Sequence, residues 1–232
     1  MRHRPYIFLF ASALASCAPS RKAPVKFQPM GLYDISSPLH TDHIDGFKAV
    51  HIFSDDLGRE VWVSPEKKCV TMERVSSPAT EGDYSMHITW DKVSGGCKWI
   101  GLGFGWSDWM GKDMTGLESI TAVQMKVRAV KGTFKNLPVA FAFEDYTDVQ
   151  TYCGFRMEHA SGEFNDKGWT TVTVPLRDFP FERNNADLSK IKQFMIQLEG
   201  DGDIYLDDIR LIRYQPRGSY NTYCRIRCSC CF

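Results

Sequence analysis

The chain has no surplus of charge of either sign, because 28 lysines and arginines are matched by 28 aspartates and glutamates. Binding to nucleic acid or another polyanion draws on a basic excess, so this balance argues against that class and points to an uncharged partner if the partner is a polymer. Long apolar runs are also scarce. The one near the N-terminus, Tyr6 to Leu14, falls well short of the roughly 20 residues that span a bilayer as a helix. A Gly-x-Ser-x-Gly elbow, a His-Glu-x-x-His zinc helix and a glycine-rich phosphate loop are all missing, which removes three common catalytic readings. Helical periodicity is nearly absent, with one plausible turn near Asp187 to Lys190, and no fixed-period repeat appears.

At the N-terminus, basic Arg2, His3 and Arg4 precede the apolar stretch, small residues and a cysteine, which is the order of a secretory signal. Leu14, Ala15, Ser16 and Cys17 resemble the lipobox of bacterial lipoproteins, in which the cysteine is lipidated and becomes the new N-terminus. That resemblance implies export and anchoring to the bacterial cell envelope, at the outer membrane or cell surface, with the membrane touched only through lipid on Cys17. The expected organisation is signal 1–17, tether 18–47, folded domain 48–215 and a disordered cysteine-rich tail 216–232. His40, Asp42, His43 and Asp45 fall in the tether and read as polar linker. Export permits disulfides, and Cys69 with Cys97 is the pair to test first. The tail CRIRCSCCF lacks the two separated Cys-x-x-Cys pairs of a zinc site.

From residue 49 onward the chain is a succession of short alternating runs: 49–54, 69–75, 83–91, 97–106, 119–130, 138–146, 150–158, 168–176, 192–199 and 203–214. These runs argue for an all-β sandwich or barrel, of which an antiparallel β-sandwich is the expected fold. In several runs the two faces differ in kind. Val139, Phe141 and Phe143 alternate with Ala140, Ala142, Glu144 and Tyr146. Thr151, Cys153, Phe155 and Met157 alternate with Gln150, Tyr152, Gly154, Arg156 and Glu158. Phe194, Ile196 and Leu198 alternate with Gln193, Met195, Gln197 and Glu199. In KWIGLGFGW, Ile100, Leu102, Phe104 and Trp106 take the core side, and the bare backbones of Gly101, Gly103 and Gly105 should leave a trough on the other. Such a face suits an extended neutral polymer, with rings stacking on sugars and polar side chains meeting hydroxyls.

The run GDGDIYLDDIRLIRY resembles the closing strand of carbohydrate-binding modules with the galactose-binding-like jelly-roll fold. The order W-x-G-x-G-F from Trp99, DMTGLESITAVQMKVRAVKG, VAFAFEDYT and GWTTVTVPLRDF is similar to family 11 of those modules. The resemblance implies a jelly roll that binds β-glucan-like polysaccharide on its concave sheet. It places Glu144, Tyr146, Tyr152, Arg156 and Gln197 on that face, with Trp109 in a loop at one end, while Trp106 continues the core side. It further implies a structural calcium held by Asp208, with Asp207 as its neighbour, and by Asp55 or Asp56, aided by carbonyls of loop 79–83. The alternative for Asp207 and Asp208 is a solvated bulge.

A glycosidase needs two carboxylates roughly 5–10 Å apart in a cleft; Glu144, Glu158 and Glu199 could supply such a pair. The expectation is a non-catalytic module that serves separate glycoside hydrolases of the cellulase type. A second resemblance, to the complex I intermediate-associated protein 30 family, implies an assembly or scaffold domain on the same sandwich. The face discriminates between them, because a glycan site needs rings aligned along a trough and a protein site needs a contiguous apolar patch.

Overall fold

The structure is a computed structural model that describes residues 43–214, apart from 45, 46, 49, 56–59, 67 and 81. The signal segment with Cys17, the tether ahead of residue 43, Asp56 and the tail from residue 215 lie outside the described residues.

Each expected run contains a strand. In chain order the strands are β1 His43–Ile44, β2 Phe47–Lys48, β3 His51–Phe53, β4 Val61–Val63, β5 Val70–Val75, β6 Ser85–Asp91, β7 Gly101–Phe104 and β8 Thr121–Ala129, followed by β9 Thr133–Phe134, β10 Val139–Asp145, β11 Gln150–Gly154, β12 Phe164–Asn165, β13 Thr170–Pro175, β14 Ile191–Leu198 and β15 Asp201–Arg213. The turn expected near Asp187 is a 3-10 turn over Leu188–Lys190, and one short α-helix, α1, covers Phe181–Asn184. Two antiparallel sheets form the sandwich: β11-β10-β14-β7-β4, and β13-β8-β15-β6-β5 with β3 added beside β15. This is the all-β sandwich expected from the alternation, in the jelly-roll form that the resemblance implied.

The alternation decides which side chains meet between the sheets. Phe141 and Phe143 of β10, Phe194, Ile196 and Leu198 of β14, and Leu102 and Phe104 of β7 are buried against Met86, Ile88, Met125, Val127, Val172 and Leu206 of the other sheet. Phe194 is the hub of this layer, with ring centroids 5.3 Å from Phe143, 6.1 Å from Phe104 and 6.3 Å from Phe141, spacings that suit aromatic packing. Ile44 is also buried in this core, which puts part of the expected tether in contact with the folded body.

β15 changes partners along its length. Its first half pairs with β6 as far as Leu206, and after a register shift between Asp207 and Arg210 the second half pairs with β3 through Ile209 and Phe53. Asp208 sits in the shift with φ +47°, so the bulge weighed for these aspartates is present, but the expectation that it leaves them solvated is corrected, because Asp207 and Asp208 are both buried. The expected inward placement of Met157 is corrected: β11 stops at Gly154, the chain turns into a 3-10 segment at Met157–His159, and Met157 is left exposed.

Two constraints fix the loops. Cys69 and Cys97 form a disulfide across a sequence separation of 28, which is the pairing proposed from the sequence. Asp145 is fully buried, and its carboxylate accepts from Thr147 N and Oγ1, Val149 N and Asp187 N at 2.7–3.0 Å. Burial alone pushes the Asp145 pKa up, but those hydrogen bonds outweigh it and hold the group below the usual aspartate value.

Removing the disulfide as Cys69→Ala with Cys97→Ala is expected to lower unfolding stability by about 3–4 kcal/mol in a denaturant titration, from the loop it closes. Asp145→Asn is expected to lower the melting temperature at neutral pH. Because the folded-state pKa is depressed, the carboxylate's contribution is complete above the ordinary aspartate pKa and is lost as pH falls through the folded value. The loss in the variant should therefore shrink on acidification below about pH 4.

Candidate functional site

The outer face of the five-stranded sheet is built on positions without side chains. A Cβ placed on Gly101 would lie 2.9 Å from the Trp99 ring, one on Gly103 2.4 Å from the Trp62 ring, and one on Gly105 2.2 Å from the Trp109 ring. The glycines expected to leave a trough instead seat three indoles of the chain itself. Gly101 and Gly103 lie in β7 and Gly105 just past its end, each two residues from the next, roughly 7 Å per step in an extended chain. The Trp62 and Trp99 rings have centroids 6.0 Å apart with planes 29° from parallel, which gives a continuous apolar surface. All three tryptophans are half-buried, each with one ring surface against backbone and part of its area in solvent.

The strand register extends this surface across the sheet. Trp62 lies opposite Gly103, Gly103 opposite Met195, Met195 opposite Ala142 and Ala142 opposite Tyr152. One transverse row therefore runs from β4 to β11 with a large ring at either end and Gly103, Met195 and Ala142 between. Met195 and Ala142 are buried despite pointing away from the core, so large side chains cover this face.

The polar atoms of the face are committed to one another. Tyr152 Oη donates to Gln150 Oε1 at 2.7 Å, Gln150 Nε2 donates to Glu144 Oε2 at 2.7 Å, and Lys192 Nζ donates to Glu144 Oε1 at 2.6 Å. Burial raises the Tyr152 pKa, opposed by the nearby Trp99 N–H and assisted by the Glu144 charge. The hydrogen bond to Glu144 raises that of Lys192. Elsewhere on the sheet Glu199 accepts from Lys92 and from Gln197, and these contacts lower its pKa. Each carboxylate is thus neutralised by a lysine, leaving rings and paired dipoles.

Of the site residues expected from the sequence, Glu144, Tyr152 and Gln197 come together on this face. Glu144 is nearly enclosed, and both its oxygens are already used by Lys192 and Gln150. Tyr146 lies just past β10, where its hydroxyl donates to the Trp109 carbonyl, so Tyr146 and Trp109 form one end of the indole row. Trp106 is buried, as its place on the core side required, with Lys112 Nζ 4.3 Å from its ring. Burial lowers the Lys112 pKa to about 8, against the opposing charge of Glu60. The placement of Arg156 on the face is corrected. Strand pairing has ended at Gly154, and the Arg156 guanidinium pairs with Asp178 and, at 3.1 Å, with Glu158, while its backbone N–H donates to His159 Nδ1.

Trp62 and Trp99 were not singled out in the sequence. Their signal was the glycine alternation itself, since a stripe lacking Cβ atoms needs an occupant; Trp62 was further hidden because β4 is too short to register as a run.

Asp55 and Asp207 grip one loop at two points. Asp55 Oδ1 accepts from Asp83 N and Tyr84 N at 2.9 Å, and Asp207 Oδ2 accepts from Thr80 N at 2.7 Å and Thr80 Oγ1 at 2.9 Å. Asp208 Oδ2 lies 3.2 Å from the Arg210 guanidinium. Asp55 and Asp208 follow and flank the paired residues Phe53 and Ile209, so the end of β3 and the bulge of β15 are neighbours. Among the described residues the group of three Asp, Glu, His or Cys donors with mutually close ligand atoms is Glu66, Cys69 and Cys97. Its two sulfurs are taken by the disulfide, so it offers no metal site.

Comparison with known proteins bears on the fold. The family 30 carbohydrate-binding module of the cellulosomal cellulase Cel9D-Cel44B of Clostridium thermocellum superposes with a TM-score of 0.53 at 14% identity, covering 72% of this chain and 98% of that one. A second family 30 module gives 0.56 at 15% identity, covering 75% and 91%. The family 11 module of the cellulosomal cellulase Lic26A-Cel5E of Clostridium thermocellum gives 0.47 at 13% identity, covering 76% and 99%. No curated protein matches the sequence. The resemblance to a jelly-roll carbohydrate-binding module therefore holds, and the family model that matches is that of carbohydrate binding domain 30, over residues 49–213. That span takes in every strand from β3 to β15, and the chain belongs to this family of carbohydrate-binding domains.

Proposed function

We propose that the chain captures a neutral, β-glucan-like polysaccharide on the outer face of the five-stranded sheet, as a lipid-anchored and non-catalytic module serving separate glycoside hydrolases. The observation that carries the reading is the row of indoles laid on side-chainless backbone. Flat apolar surfaces of this kind complement the C–H faces of pyranose rings. The internal neutralisation of Glu144 and Glu199 supports an uncharged ligand, and it removes the free carboxylate pair a glycosidase needs. The cellulosomal cellulase origin of the family 30 relative supports a glucan and a partner enzyme. Export and lipidation at Cys17 rest on the N-terminal pattern, and the Cys69–Cys97 disulfide supports an oxidising compartment.

A structural calcium is a further part of the proposal. Asp55, just past the end of β3, and Asp208, at the neighbouring bulge of β15, with carbonyls of loop 79–83, would hold it. Binding would require the ion to share Asp208 with Arg210 and Asp55 with two backbone N–H groups.

In a titration with soluble mixed-linkage β-glucan, Trp62→Ala and Trp99→Ala are each expected to weaken binding by about 1–3 kcal/mol, and no reducing sugar should be released by the wild type. Full affinity in both variants would remove the platform, and sugar release would overturn the non-catalytic reading. Gly103→Ala, which puts a methyl group into the Trp62 ring, should weaken binding, whereas Gly154→Ala on the same face, with open space around its Cβ, should not. Chelation by EDTA is expected to lower the melting temperature, with calcium restoring it, through loss of a ligand bound by the folded state; an unchanged melt leaves the loop to the protein's own hydrogen bonds.

A further inference from the structure

The indoles that form the platform face a mechanical difficulty. A ring lying on glycine backbone has no Cβ beneath it to fix its rotation, so something else must set its orientation. The Trp62 side chain starts on β4, crosses Gly103 of β7, and ends with Nε1 donating to Gln193 Oε1 of β14 at 2.7 Å. The ring therefore reaches across three neighbouring strands, which forces it to lie along the sheet and not to stand up from it. Trp99 repeats the arrangement, with its six-membered ring over Gly101 and Nε1 donating to Gln197 Oε1 at 3.0 Å. Both acceptors are held in turn. Gln193 is buried, and Gln197 is oriented through Nε2, which donates to Glu199, itself paired with Lys92. An indole has a single donor and no acceptor, so this one bond selects between the two flipped orientations of the ring.

The geometry points to Gln193 and Gln197 as positioning residues that lock Trp62 and Trp99 face-up for the sugar. This rests on the glycan reading of the face, and it reassigns Gln197 from direct contact with the ligand to control of the ring that makes the contact. The two glutamines lie on one face of β14, four residues apart, and act on the two indoles separately.

The test is a double-mutant cycle in the full chain with soluble mixed-linkage β-glucan as probe. Gln193→Met keeps the length of the side chain and removes the acceptor; Trp62→Phe keeps a stacking ring and removes the donor. Gln193→Met is expected to weaken binding about three- to tenfold in the wild-type background, the scale of one lost hydrogen bond, and to change nothing further in Trp62→Phe. The corresponding cycle of Gln197→Met with Trp99→Phe should behave in the same way. An equal loss in both backgrounds, or no loss in either, would overturn the assignment. A readout free of the ligand separates this from the functional reading: in proton NMR the Trp62 Nε1–H signal should move upfield in Gln193→Met. If the wild type fails to bind the glucan, the functional reading falls while the indole signal still decides the positioning, and an unmoved signal refutes it.

Discussion

A Cβ at position 103 would lie 2.4 Å from the Trp62 ring, a separation at which no carbon can sit, and the same conflict recurs at Gly101 and Gly105. That stripe of bare backbone is the constraint on which the outer face depends. Glycine inside a strand weakens it, and β7 tolerates Gly101 and Gly103, with Gly105 just past its end, because its other side carries Leu102 and Phe104, both fully buried. The core thus secures the strand from within while its outer side is left open for rings. The same alternation that drives the sheets together also delivers a flat aromatic surface, since successive residues must point to opposite faces.

The face is also defined by what its charged groups cannot do. Glu144 and Glu199 are each held by a lysine and an amide, and Tyr152 spends its proton on Gln150. Hydrogen bonds within the set leave ring surfaces as the main means of recognition. Of the large hydrophobics most exposed among the described residues, Val93 and Met157 lie in turns outside the strands, while Met110 and Tyr146 adjoin the Trp109 end of the indole row, and the family match leads to carbohydrate-binding domains.

Strand alternation made the sandwich legible because burial is its direct cause: Phe141, Phe143, Phe194, Ile196 and Leu198 occupy the core as their spacing required. The Cys69–Cys97 pairing was legible because the two runs that carry these residues were already separable. Arg156 and Met157 were misplaced for one reason, that periodicity carries no mark of where a strand ends, and β11 gives way to a 3-10 turn after Gly154. Trp62 was invisible for the complementary reason. β4 has three residues, too few for a period, and its importance comes from a ring that crosses to another strand. Long-range contacts of that kind, such as the Trp62–Gln193 bond over 131 residues, leave no local pattern.

The chain contains buried and surface tryptophans together, which provides an internal control for the central claim. The direct measurement is an NMR titration of the wild-type protein with soluble β-glucan, following the indole Nε1–H signals. The account predicts that Trp62 and Trp99 shift progressively while Trp90 and Trp106, 2% and 1% exposed in the core, stay fixed. Saturable binding that leaves the Trp62 and Trp99 signals unmoved would contradict it and place the glycan elsewhere on the molecule.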